Sequence, residues 1–201
     1  MRALAALVFD GFETLDLFGP IEMFGCLPDA IEITLIAEAM APVISRHGQR
    51  VLPDILIEDA PEFDLILVPG GPGTPVEPPN ETINGWLQTV AQTNCLIMSV
   101  CTGSALLARS GILDGRRATT NKAAFNWVCP FGPNVDWVAK ARWVEDGNFF
   151  TSSGVSAGMD MSLAVIAHLL GKPAAVEVAN KAEYDWHQDT SWDPFYELYQ
   201  T

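Results

Sequence analysis

Leu96-Ile97-Met98-Ser99-Val100-Cys101-Thr102-Gly103-Ser104-Ala105 joins an apolar run to a row of small residues with no loop between them. Leu96–Val100 has the continuity of a parallel strand covered on both faces, and Ser104–Ser110 reads as a helix. Cys101 stands at the join. A chain passing so directly from strand to helix must turn sharply, and the residue at the turn lifts its side chain above the sheet, the geometry of a nucleophile elbow. Small neighbours are needed because larger side chains would collide in that turn. N–H groups at the helix start, with the helix dipole, favour a thiolate and predict a lowered thiol pKa. A buried core cysteine is the ordinary alternative; the flanking pattern favours the functional reading.

Upstream, the run Leu65–Val68 ends in Pro69-Gly70-Gly71, at the same end of the sheet as Cys101. Two glycines allow close backbone approach to a ligand and can aim N–H groups at developing negative charge, an oxyanion hole; a simple tight turn fits the spacing as well. Leu4–Phe9 and Ile31–Ala37 read as strands, with a helix over Leu15–Leu27 that tolerates Pro20 in its opening turns. Val43–Asp54 is a weaker strand or hairpin, Glu81–Thr93 a helix and Ala118–Thr120 a short strand. Asp146-Gly147 marks a tight turn between Trp143–Asp146 and Asn148–Thr151. Gly154–Gly158 opens a long apolar helix through Leu170, ended by Gly171 with Pro173 beyond it. This alternation predicts one doubly wound α/β domain, with ligands at the carboxyl ends of its strands.

The 201 residues carry 25 acidic against 11 basic side chains, a net charge of −14. No stretch gathers basic residues on one face, so no nucleic-acid partner is expected. Ala3–Phe9 is too short to span a membrane, and Asp10 and Glu13 follow where a signal peptide needs small residues. Cys26, Cys95, Cys101 and Cys129 show neither a disulfide framework nor metal-ligand spacing. Free thiols, a cytoplasmic location and no metal are the expectation.

Asp16 lies in Thr14-Leu15-Asp16-Leu17-Phe18-Gly19-Pro20, where apolar neighbours would desolvate it and raise its pKa. A carboxylate at a helix N-terminus is common and stabilising, and on the residues alone that reading is preferred. Asn121 and Lys122 follow the short strand at the presumed active edge, where a lysine could offset charge; solvated surface lysines are far more frequent. His47, His168 and His187 are far apart and read as structural, as do the other three cysteines. The tail 183–201 combines Tyr184, Trp186, Trp192, Phe195, Tyr196 and Tyr199 with acids, so it should cover its own domain or a partner subunit.

Val68-Pro69-Gly70-Gly71, Ser99-Val100-Cys101-Thr102-Gly103-Ser104, Gly111-Ile112-Leu113-Asp114-Gly115-Arg116-Arg117-Ala118-Thr119-Thr120 and Gly154-Val155-Ser156-Ala157-Gly158-Met159-Asp160 together resemble the ThiJ/PfpI superfamily. The resemblance implies a flavodoxin-like fold related to class I glutamine amidotransferases, no cofactor and a homodimer. Asp16 in its Leu-Asp-Leu-Phe-Gly-Pro setting, and Thr102 after Cys101, resemble the isocyanide hydratase branch. Carried over, Cys101 would be the nucleophile, Asp16 the carboxylate beside it and Thr102 a supporting hydroxyl or amide. Gly71 would be a pocket amide, and Gly70, Asn121, Lys122 and Gly154 are the further oxyanion or substrate-binding positions expected in this chain. Two features depart from that branch: Asn121-Lys122 replaces a His-Trp pair, and Trp186-His187 lies in a tail that is proline-rich there.

Three activities are compatible with this reading. In isocyanide hydration, Cys101 attacks the terminal carbon of a small electrophile, Asp16 moves the protons, and water releases an N-substituted formamide. A reactive-carbonyl enzyme acting on glyoxals would also use Cys101, although no Cys-His pair is evident. A ligand- or redox-sensing domain is the non-enzymatic alternative: similar domains are fused to AraC-type DNA-binding domains, and a low-pKa cysteine oxidises readily. The charge of −14 disfavours DNA contact by this chain itself.

Overall fold

A computed structural model describes residues 1–199. The first half contains β1 (Arg2–Leu7), α1 (Thr14–Gly25), β2 (Ile31–Ala37), β3 (Val43–Ile44), β4 (Arg50–Val51), β5 (Ile55–Leu56), β6 (Leu65–Val68) and α2 (Glu81–Val90). The second half continues with β7 (Leu96–Val100), α3 (Gly103–Arg109), β8 (Arg117–Ala118), α4 (Phe125–Val128) and β9 (Asp136–Trp137). It closes with β10 (Trp143–Asp146), β11 (Phe149–Ser152), α5 (Ala157–Leu170) and α6 (Lys172–Lys181).

Seven strands form the main sheet in the order β10-β11-β7-β6-β1-β2-β5, parallel except for β10 against β11. This is the flavodoxin-like arrangement: from β1 the chain steps one way to β2, then returns to build β6, β7 and β11 on the other side. Right-handed crossovers in opposite directions put successive helices on opposite faces. Accordingly α1 packs against α5, which carries α6, while α2 packs against α3 and α3 against β7. The strands β6 and β7 are buried at every residue, which is why they read as unbroken apolar runs.

Most boundaries agree with the sequence expectation to within a residue or two. Val43–Asp54 is a small β3–β4 hairpin apart from the main sheet, and Pro20 sits inside α1. The expected strand at Ala118–Thr120 is only Arg117–Ala118, and it pairs with β9 rather than with the main sheet. The sequence reading did not include β5, β9 or α6. At α6, Pro173 reads from the sequence as a terminator of α5, but proline is equally favoured in a first helical turn, where its missing N–H has no partner to lose. Among the described residues, no helix is long and apolar enough to cross a membrane.

Tail residues Tyr184 to Asp193 pack against the chain's own α5, Arg142 and Lys122. Asp160 Oδ1, on α5, accepts the Tyr184 hydroxyl and the His187 N–H, both at 3.0 Å, and the Asp160 carbonyl accepts Trp186 Nε1 at 3.2 Å. Arg142 donates its own N–H to the Thr190 carbonyl at 2.7 Å, and its guanidinium grips Asp160. His187 stacks on Trp192 with ring centres 4.7 Å apart. Residues 200 and 201 of the expected aromatic tail lie outside the described residues.

Candidate active site

Three chain segments meet at the carboxyl edge of the sheet, beside the switch point between β1 and β6. The turn after β1 leads into α1 with Asp16 in its first helical turn; Gly70 and Gly71 follow β6, and Cys101 follows β7. Cys101 has φ 57°, a left-handed conformation that costs an L-residue about 1–2 kcal/mol. The surroundings hold it there. Its N–H points at the Ser152 and Ser153 carbonyls (3.2 and 3.3 Å), and its own carbonyl accepts Ser104 Oγ at 3.1 Å and Thr120 Oγ1 at 2.9 Å. The expected elbow is present, in a conformation that the sharp strand-to-helix turn requires.

Asp16 is fully buried. Its Oδ2 accepts the Gly70 N–H at 3.0 Å, while Oδ1 has no hydrogen-bond partner. Burial pushes its pKa up to about 8, Glu13 adds to the rise, and the Gly70 N–H and Cys101 thiol only partly oppose it. Asp16 is therefore mainly a neutral acid at pH 7. It is not the solvated helix-end carboxylate that its local sequence favoured, because α1 turns it inward beneath the loop after β6.

The thiol also departs from expectation. Burial, reinforced by the neighbouring Asp16, raises the Cys101 pKa well above its ordinary range; the Thr102 N–H and Asn121 amide lower it by less. The seven-residue α3 supplies too little field to outweigh desolvation. Burial thus favours the protonated form of both the thiol and the carboxyl, two proton carriers side by side.

The remaining predicted residues divide. Asn121 Oδ1 accepts the Ala124 N–H at 3.1 Å, which turns its amide nitrogen toward the sulfur. At Gly154 a side chain has no room: a Cβ would overlap Asn121 Nδ2 and stand 3.0 Å from Cys101 Sγ. Thr102 Oγ1 accepts the Gly71 N–H at 2.9 Å and lies 2.9 Å from Thr74 Oγ1. With Gly70 bonded to Asp16 and Gly71 to Thr102, both glycine amides are committed to positioning side chains, a departure from the oxyanion-hole expectation. Lys122 lines a neighbouring hollow, but its ammonium is engaged elsewhere. Nζ lies 2.6 Å from the Ala141 carbonyl, 2.8 Å from Thr119 Oγ1 and 3.6 Å from Asp193 of the tail. Burial lowers its pKa to about 8 despite Asp193. It is neither the solvated lysine nor the free pocket charge weighed from the sequence.

Above the sulfur is a hollow of about 410 Å³ with Gly71, Pro72, Ala124, Trp127 and Val155 in its walls. At its outer side Glu13 holds Arg46, Oε2 to NH1, at 2.9 Å. The sequence reading missed Thr74, Thr120, Trp127, Glu13 and Arg46, which carry no local signature. It also missed the Arg142–Asp160 pair, for which a charge inside the apolar helix Ala157–Leu170 was a usable signal. Among the described residues, no group of three or more His, Cys, Asp or Glu side chains could hold a metal ion.

Known proteins resemble the chain at both levels. An isonitrile hydratase from Pseudomonas putida is 36% identical over 179 residues, 89% of this chain and 76% of the relative. The HTH-type transcriptional regulator CdhR of Pseudomonas aeruginosa is 31% identical over 140 residues, 70% of this chain but 41% of that protein. The crystal structure of a ThiJ/PfpI family protein from Pseudomonas syringae superposes with a TM-score of 0.84 at 31% identity, covering 92% of this chain and 75% of the other. The DJ-1/PfpI family model matches residues 1–168, and by that match, its flavodoxin-like sheet and its cysteine elbow the chain belongs to the DJ-1/PfpI family.

Proposed function

We propose that the chain is an isonitrile hydratase-like enzyme that adds water to the terminal carbon of an isonitrile through a covalent bond to Cys101. The observation that carries this reading is Cys101 at the strained elbow beside the fully buried Asp16, a thiol and a carboxyl side by side with burial favouring the protonated form of each. An isonitrile carbon must gain both a nucleophile and a proton. This pair offers both from adjacent atoms. Sulfur attacks the carbon as Asp16 delivers its proton there and takes the thiol proton in exchange, giving a thioimidate. Water then adds to the C=N carbon, with one proton going to nitrogen. The C–S bond breaks, the hydroxyl proton returns to sulfur, and an N-substituted formamide leaves. Atoms and electrons balance with water as the only co-reactant.

Asn121 steadies the sulfur as charge develops on it, and Thr102 and Gly70 keep the loop after β6 in place. The 36% identity to an isonitrile hydratase supports the same chemistry. The test is formamide production from phenyl isonitrile by the wild type beside Cys101→Ala and Asp16→Asn. Turnover that is lost in Cys101→Ala and falls at least about a hundredfold in Asp16→Asn is expected, the scale of a lost general acid. A folded wild type that makes no formamide, or an Asp16→Asn variant at full rate, overturns the assignment.

A further inference from the structure

A second hollow of about 330 Å³ adjoins the first. The two share Asn121 and Val155 as a common wall. Gly154 lines the second hollow, and a Cβ there would overlap the Asn121 amide and stand 3.0 Å from the Cys101 sulfur, so the sulfur lies just behind the Gly154–Asn121 edge of this space. Its far side is made by Leu15, Phe195 and Tyr199. The two aromatic residues are 45% and 50% exposed, large apolar faces left open at a concave site.

The segment carrying them is anchored by buried polar contacts. Asp193, 2% exposed, accepts the Phe195 N–H on Oδ1 at 2.9 Å and turns Oδ2 toward Lys122, 3.6 Å away. Lys122 directly follows Asn121, the residue that faces the sulfur. The same contacts that dock the tail therefore set Phe195 beside the catalytic wall.

We propose that this second hollow is the subsite for the apolar substituent of the substrate, an aromatic or branched alkyl group, and that Phe195 and Tyr199 determine its selectivity. The inference rests on the isonitrile reading for the reacting carbon and adds what that carbon is attached to. A substituent linked to a carbon on Sγ passes over Gly154 and Val155 and meets the two rings, replacing their exposed faces with contact.

The experiment compares kcat/KM for phenyl and methyl isonitrile in wild type, Phe195→Ala and Tyr199→Ala. The expected result is a phenyl-to-methyl ratio that falls about tenfold in Phe195→Ala and in the same direction in Tyr199→Ala, the scale of a lost apolar contact in a pocket. A ratio within twofold of wild type in both variants overturns the proposal, whether overall activity falls or not. Phenyl isonitrile is also titrated into the Cys101→Ala protein, with the Phe195 and Tyr199 ring resonances followed by NMR. Shifts at these rings support the subsite even where the wild type fails to turn over, a result that would overturn the hydratase reading alone. No binding, or a second copy of the chain covering both rings, overturns the subsite.

Discussion

Replacing Asp16 by Asn should destroy turnover and at the same time make the protein more stable, by an amount that depends on pH. The native carboxyl has its pKa raised from an ordinary 3.8 to about 8. Between those values the folded state holds a proton that the unfolded state has released, so wild-type stability falls as pH rises through this window. At about 1.4 kcal/mol per unit, the interval from 3.8 to pH 7 amounts to roughly 4 kcal/mol. Asparagine has no such ionisation and keeps an oxygen for the Gly70 N–H. Its amide brings N–H donors to a place where Asp16 Oδ1 has no partner, a cost of about 1–3 kcal/mol. The net gain at pH 7 is then about 1–3 kcal/mol, or roughly 3–10 °C in Tm for a chain of this size. Below about pH 4 both states of the wild type hold the proton, so the gain vanishes and the amide cost alone remains. Thermal and urea unfolding of both proteins at pH 4, 6 and 8 reads this directly. A variant less stable than wild type at pH 8, or a gap that does not change between pH 4 and 8, refutes the buried neutral acid.

Three other outcomes follow from the geometry. Because Cys101 has φ 57°, Cys101→Gly should be more stable than Cys101→Ala by about 1 kcal/mol, the reverse of the usual order; urea midpoints check it, and a more stable alanine variant contradicts the strain. Gly154→Ala drives a methyl group into the Asn121 amide beside the sulfur, so formamide production should drop at least about tenfold; unchanged rates would show that the Asn121 position is immaterial. Arg142→Met leaves the buried Asp160 without its cation, which costs about 3–5 kcal/mol, and removes the guanidinium that lies over the Trp192 ring, while the main-chain bond to Thr190 remains. Its Tm should fall by roughly 10 °C, with earlier proteolytic cleavage in the tail than in wild type.

Much of the fold was legible because it is written in local patterns. Leu65–Val68 and Leu96–Val100 are apolar at consecutive positions because both faces of each strand are covered, and the small residues after Cys101 mark a turn that admits nothing larger. The short pairings of β5 with β2 and of β8 with β9 were not legible, since two-residue strands have no periodicity to read. Lys122 shows the same limit at the site. Nothing in Thr119-Thr120-Asn121-Lys122 reveals that a carboxylate seventy-one positions later closes over it.

The sequence by itself determined the parallel sheet, its chemical edge and Cys101 at the elbow, because strand burial and sharp turns impose composition within a few residues. Only the tertiary structure decided the electrostatics of the pair: loops after three different strands bury Asp16 and Cys101 together, and that burial raises the pKa of both. It also committed the Gly70 and Gly71 amides to Asp16 and Thr102, and laid the tail across Lys122 and Arg142. Desolvation and long-range pairing depend on what lies across space, and residues adjacent in the chain carry no record of it.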